Sequence, residues 1–254
     1  MTELTILPGY NRDGQRENYE QIQLRPGETI SIVGPTGSGK TAFITDIELM
    51  AQGDTSTRRR ILINGKVPED SVRYNPSLKP IAMITQNTKC FADLTVENFL
   101  KIHARAREID DQGIIPGTLE LANTFTGEKI AASHRVTTLS GGQTRSLLIA
   151  DAVLIGAAPV ILLDEIENAG IFKQEVMAII QDSGKIIVFV THDPVIALNT
   201  KKRLIMEHGG VKKVLLRNAQ EESAVKKLIE VDKRIGTIRE HLRSGNIITA
   251  ELAI

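Results

Sequence analysis

Short apolar runs bounded by glycine, aspartate or polar residues recur along the chain, at residues 30–33, 61–63, 81–84, 160–163 and 186–190. Their length and their richness in isoleucine, valine and leucine predict buried strands. Between them lie stretches whose apolar residues recur at helical spacing, at 41–51, 95–107, 144–154 and 173–181. Such alternation predicts an α/β core: a mostly parallel sheet covered by helices. Residues from about 87 to 139 show no strand pattern and predict a helical insertion, which with the following helix reaches residue 150. After Gly209-Gly210 the composition turns Lys- and Glu-rich. Val225, Leu228, Asp232, Ile235, Ile238 and Leu242 then fall mainly three and four apart, predicting an amphipathic helix or helix pair. Its apolar stripe docks on its own domain in one reading and on a partner or second copy in the other. The resulting division is a domain over residues 1–217, with the insertion at 87–150, and a helical tail over 218–254.

Composition narrows the function classes. The 254 residues carry 31 basic and 31 acidic side chains, a formal net charge of zero, which disfavours electrostatic capture of nucleic acid or anionic lipid. Arg58-Arg-Arg60, the densest basic run, reads as a solvated strand end. A single cysteine, Cys90, excludes an internal disulfide framework and fits a reducing compartment. The longest apolar run, 152–163, is interrupted by Pro159 and is short of the ~18 residues a membrane span needs. The first residues lack the basic and apolar regions of a signal peptide, so a cytoplasmic location is expected. The five histidines show no zinc-ligand spacing.

Gly34-Pro35-Thr36-Gly37-Ser38-Gly39-Lys40-Thr41 fits G-x-x-x-x-G-K-[ST], follows an apolar strand and leads into the helical run at 41–51, with Ala42 beside it as a further nucleotide-binding candidate. A triphosphate needs converging backbone N–H groups without Cβ atoms in the way, and the positive end of a helix favours its charge. Lys40 is placed for the β- and γ-phosphates, and the Thr41 hydroxyl for a bridging Mg²⁺. The run Val160-Ile-Leu-Leu-Asp164-Glu165 predicts a buried strand ending in two carboxylates at the ligand-facing sheet edge. Asp164 suits Mg²⁺; Glu165 suits the general base that activates water.

Leu139-Ser140-Gly141-Gly142-Gln143 stands some twenty residues before that strand end. By itself Ser140 with Gln143 three residues on is a capping box. Together with the two preceding motifs, it resembles the signature of ATP-binding cassette (ABC) ATPases, and the resemblance covers approximately residues 4–211. It implies the ABC ATPase fold: a P-loop core with a mostly parallel sheet, an N-terminal antiparallel β part and a helical insertion. It implies ATP and Mg²⁺ as ligands, and a head-to-tail dimer in which the signature grips the γ-phosphate held by the opposite protomer, homodimeric or heterodimeric. Gln86 resembles the glutamine that senses Mg²⁺ and the attacking water, and His192 the histidine that contacts the γ-phosphate and orders the catalytic glutamate. Tyr10 resembles the adenine-stacking aromatic, with Tyr19 as competitor.

Two departures stand out. The family commonly continues Pro-Thr-Ser-Ala-Leu-Asp after the glutamate; here Ile166-Glu167-Asn168-Ala169-Gly-Ile171 keeps only Ala169, which implies altered communication between the two sites. Ser146 and Asp151 stand where many members have arginines, implying a changed surface charge on that helix. The segment around Cys90-Phe91 resembles the region that receives a membrane subunit, favouring a transporter ATPase peripheral to the cytoplasmic membrane face. The alternatives are a soluble ATPase that remodels a protein or metallocofactor enzyme and, less favoured, a nucleic-acid-associated ATPase.

Overall fold

The computed structural model describes residues 2–75, 78–85, 87–166, 177 and 183–249. A three-stranded antiparallel sheet, ordered β2-β1-β4, is built from β1 (Leu4–Leu7), β2 (Ile22–Leu24) and β4 (Arg60–Ile63). The larger sheet has β3 (Thr29–Val33), β5 (Ile81–Ile84), β6 (Val160–Asp164), β7 (Ile186–Val190), β8 (Lys202–Glu207) and β9 (Gly210–Leu216), in the order β5-β6-β7-β3-β8-β9. All neighbours in it are parallel except β8 and β9. The expected α/β architecture with an antiparallel β part is therefore present.

Side-chain alternation explains why the central strands read as unbroken apolar runs. Ile161, Leu163, Ile187 and Phe189 face one core, shared with α3 (Val96–Ala106) and α5 (Gly141–Leu154). Val160, Leu162, Ile186 and Val188 face the other, shared with α1 (Lys40–Glu48) and the antiparallel sheet. With both faces covered, no polar alternation survives. The helices start where side chains satisfy free N–H groups. Thr95 Oγ1 accepts from Asn98 N at 3.2 Å, and Ser140 and Gln143 cap α5 reciprocally, at 3.3 and 2.9 Å.

Several expectations are corrected. No strand is expected after residue 190, yet residues 202–207 and 210–216 form β8 and β9, joined through His208 (φ 49°) and Gly209 (φ 84°), two left-handed residues that make a tight hairpin. The C-terminal helix spans Ala219–Arg243; Val225 is buried, whereas Val231, Ile235 and Leu242 are exposed, so only the first part of the apolar stripe docks on the domain. Ser146 and Asp151 do not change a surface: both are buried, and Asp151 Oδ2 meets His103 Nδ1 of α3 at 2.9 Å. The helix expected at 173–181 lies outside the described residues, apart from residue 177, which is helical.

Arg59 is no solvated strand end. Its side chain is fully buried, with Nε 2.9 Å from Glu17 Oε2, Nη2 2.6 Å from Glu17 Oε1 and Nη1 2.8 Å from Asp46 Oδ2. Glu17 also accepts from the backbone N–H groups of Gly9 (2.9 Å) and Val211 (2.6 Å), and Thr57 donates to Asp46 at 2.7 Å. This cluster joins the N-terminal loop, α1 and β9. Burial opposes the Glu17 charge, but Arg59 and the two N–H groups outweigh it and hold the carboxyl below its ordinary pKa.

Candidate nucleotide site

Parallel strands deliver their following loops to one sheet edge, and three of those loops meet there. Residues 34–39 leave β3 and enter α1, with Gly39 at φ 101° as the residue before the helix. A Cβ on Gly39 would lie 2.7 Å from Gly209 Cα, so only glycine allows the loop to press against the β8–β9 turn. The Gly209 N–H donates to Ser38 O at 2.9 Å, completing that contact. The Lys40 ammonium donates to Gly34 O at 2.8 Å and Pro35 O at 3.2 Å, which folds its side chain along the loop.

At the adjoining strand ends, Asp164 closes β6 and Glu165 follows it in a left-handed conformation, φ 50°. A non-glycine residue held there costs of order 1 kcal/mol or more, and it is retained by the hydrogen bond from Glu165 N to Val190 O, 2.9 Å. Glu165 Oε1 then lies 3.4 Å from His192 Nε2, just past the end of β7. Asp193 fixes the chain beyond it by capping α6 (Pro194–Asn199), accepting from Val195 N at 2.9 Å and Ile196 N at 3.1 Å.

Thr36, Gly37, Gly39, Lys40, Thr41, Ala42, Asp164, Glu165 and His192 together line a cavity of about 280 Å³, with Val190 and Arg12 completing the wall. Gly34, Pro35 and Ser38 shape the loop without lining the cavity. Ser38 Oγ is buried without a hydrogen-bond partner. Ser140, Gly141, Gly142 and Gln143 are not on this wall; they form the N-terminus of α5, where Ser140 and Gly141 are exposed. Gln86, Glu167, Asn168 and Ala169 lie outside the described residues. Tyr10 is 40% exposed and does not line the cavity. The Tyr19 hydroxyl instead donates to Glu17 at 3.2 Å and its ring packs on the core, where burial above all raises its pKa.

Sequence reasoning missed Arg12, because nothing local marks it; its place on the wall depends on contact with a turn almost two hundred residues later. The chemistry of the wall is that of an anion cradle beside a hard-cation position. A helix N-terminus and an ammonium suit phosphates, and the Thr41 hydroxyl and Asp164 carboxylate suit Mg²⁺, which takes few protein ligands and completes its shell with phosphate and water. No group of three or more acidic, histidine or cysteine side chains able to hold a metal occurs among the described residues.

Fold and site thus define a P-loop nucleotide hydrolase. The family model for ABC transporters matches residues 19–168. An uncharacterized ABC transporter ATP-binding protein of Methanocaldococcus jannaschii is 44% identical over 249 residues, 98% of this chain and 95% of its own length. The thiamine import ATP-binding protein of Brucella suis is 30% identical and aligns over 78% of this chain and 81% of its own length. A spermidine/putrescine import ATP-binding protein of Mannheimia succiniciproducens is 28% identical over 81% of this chain, which spans about half (54%) of that relative's length. Among solved structures, a dimeric ATP-binding cassette in a post-hydrolysis state with ADP and Pi shares the fold, with a TM-score of 0.61 at 23% identity, over 86% of this chain and 100% of that one. The chain belongs to the ABC transporter family of ATP-binding proteins, and it is an ATPase. No helix among its described residues is long and apolar enough to cross a membrane.

Proposed function

We propose that this ATPase drives a membrane-spanning transport partner from the cytoplasmic face, by closing as a head-to-tail dimer around Mg-ATP and opening after hydrolysis. The observation that carries the transport reading is Phe91, 85% exposed beside Cys90 in the loop between β5 and α3. We read this exposed ring as a contact for another protein because it lies in the segment that resembles the region receiving a membrane subunit. The import proteins among the relatives support a membrane partner.

In this reading the N–H groups at the start of α1 and the Lys40 ammonium hold the phosphates, while Thr41 and Asp164, with Gln86, would hold Mg²⁺. When bound, the ion would neutralise charge on the phosphates. Glu165 accepts the proton of the attacking water, and His192 holds the carboxylate in position and reaches the γ-phosphate. Tyr10 stacks on adenine. The Ser140–Gln143 helix start stands apart from the cavity of its own chain, so it serves the γ-phosphate of the opposite protomer. ATP then bridges two chains, ADP does not, and loss of the γ-phosphate shifts the population toward the open state.

Lys40→Ala should weaken ATP binding about 10- to 100-fold, the effect of removing a charged hydrogen-bond donor, as read by titration calorimetry. Unchanged affinity would remove Lys40 from the phosphate site. Ser140→Arg should leave ATP bound to the monomer but abolish ATP-dependent dimerisation, read by light scattering; normal dimers would return the motif to a helix cap. Transport itself is tested by affinity capture of tagged Glu165→Gln protein with Mg-ATP from membrane and soluble fractions. An integral-membrane partner is the expected result, and exclusively soluble partners would replace transport with remodelling.

A further inference from the structure

Arg12 is the residue on the cavity wall that none of the motifs accounts for. It is exposed, and its guanidinium has no ion pair or side-chain hydrogen bond among the described residues, while its backbone is held firmly. Arg12 N donates to His208 O at 2.8 Å. The preceding Asn11 side chain accepts from Asp13 N at 3.0 Å and Gln15 N at 2.8 Å, stiffening the turn. The arginine stem lies on Gly209: a Cβ there would sit 2.7 Å from Arg12 Cγ. Gly209 in turn touches Gly39 of the phosphate loop, and its carbonyl accepts from buried Arg59 Nη2 at 3.1 Å. The buried cluster thus anchors, through one glycine, both the phosphate loop and the stem of a cation that is free to bind.

We infer that Arg12 is a nucleotide-binding residue that contacts the phosphate chain on the side away from the bond being cleaved, so that it holds ATP and ADP alike. Sheet order supplies the direction. The phosphate loop follows β3, with β7 and β6 on one side carrying His192, Asp164 and Glu165, and with β8 and β9 on the other carrying the turn beneath Arg12. A planar guanidinium held on a rigid turn suits phosphate oxygens, and its fixed stem reduces the entropy lost on binding. The assignment rests on the nucleotide reading of the cavity.

Calorimetric titration of the full chain with ATP and with ADP tests it. Arg12→Ala should weaken both nucleotides by the same factor, about 10-fold or more, without lowering the melting temperature. Arg12→Lys should recover part of the loss, and the alanine variant should show a shallower dependence of affinity on salt. Affinities within twofold of the parent for both nucleotides would overturn the inference, and so would a loss confined to ATP, which would put the guanidinium at the γ-phosphate. A parent protein that binds neither nucleotide would overturn the reading of the cavity itself.

Discussion

Glu165→Gln should reduce ATP turnover by about 10²- to 10⁴-fold while leaving ATP affinity within a few fold of the parent. The amide keeps the size and shape of the side chain at the left-handed position, so the β6 exit and its hydrogen bond to Val190 O are undisturbed. It loses the ability to take a proton from water, and that loss falls on the transition state rather than on ground-state binding. In the dimer reading the arrested protein also accumulates as an ATP-dependent dimer, because opening requires loss of the γ-phosphate. Single-turnover hydrolysis and size-exclusion chromatography with Mg-ATP read the two effects. Turnover near that of the parent would take Glu165 out of the mechanism. His192→Ala gives a smaller decrease if its 3.4 Å approach to Glu165 serves to position the carboxylate.

What could be read from the chain divides according to whether the physics is local. The phosphate loop was legible because its requirements, glycine backbone, a lysine and a hydroxyl at the start of a helix, are met within eight consecutive residues. Asp164 and Glu165 were legible because a buried apolar run must end where its first charges occur. His192 carried no signal of its own; only its order after the other motifs singled it out as a candidate, and the structure places it on the cavity wall 3.4 Å from Glu165. By contrast, β8 and β9 escaped because β9 is an edge strand whose lysines, exposed to water, blur the alternation. Its hairpin signal, a His-Gly pair between two apolar runs, was in plain sight. Ser146 and Asp151 were misjudged because helix α5 is covered on more than one face, by the sheet and by the helix Ile114–Thr124, with His103 of α3 reaching Asp151, so a polar residue on it met a partner or the core instead of solvent. Arg59 was misjudged because its neighbours Arg58 and Arg60 are exposed, and charge runs report solvation of the run rather than of each member. Alternation at a strand entry sends the middle residue inward, and only the tertiary approach of Glu17 and Asp46 makes that tolerable.

Replacing Arg59 by methionine should destabilise the protein by about 3–5 kcal/mol near neutral pH, the cost of leaving buried carboxylates without their cation. Methionine replaces most of the arginine stem but not the guanidinium, whose carbon lies 4.7 Å over the Phe43 ring, so some packing is lost with the charge. The pH dependence separates charge from packing. In the parent, Glu17 has a folded pKa below its unfolded value of about 4.5, so its stabilising contribution is present above that pH and is lost as pH falls through the folded pKa. Without Arg59, burial becomes the dominant influence and raises the folded pKa above the unfolded value. The variant then loses stability as pH rises from about 4.5 through that raised pKa, the opposite sign. The difference in unfolding free energy between parent and variant therefore grows from pH 4 to pH 7, as measured by urea denaturation. A difference that is independent of pH would mean that packing, not the ionised Glu17, sets the cost. Because the same cluster holds Gly209, and through it Ser38 and Arg12, the variant should also weaken ADP binding at temperatures where it is still folded, and a protein that keeps the parent's affinity would sever the cluster from the nucleotide site.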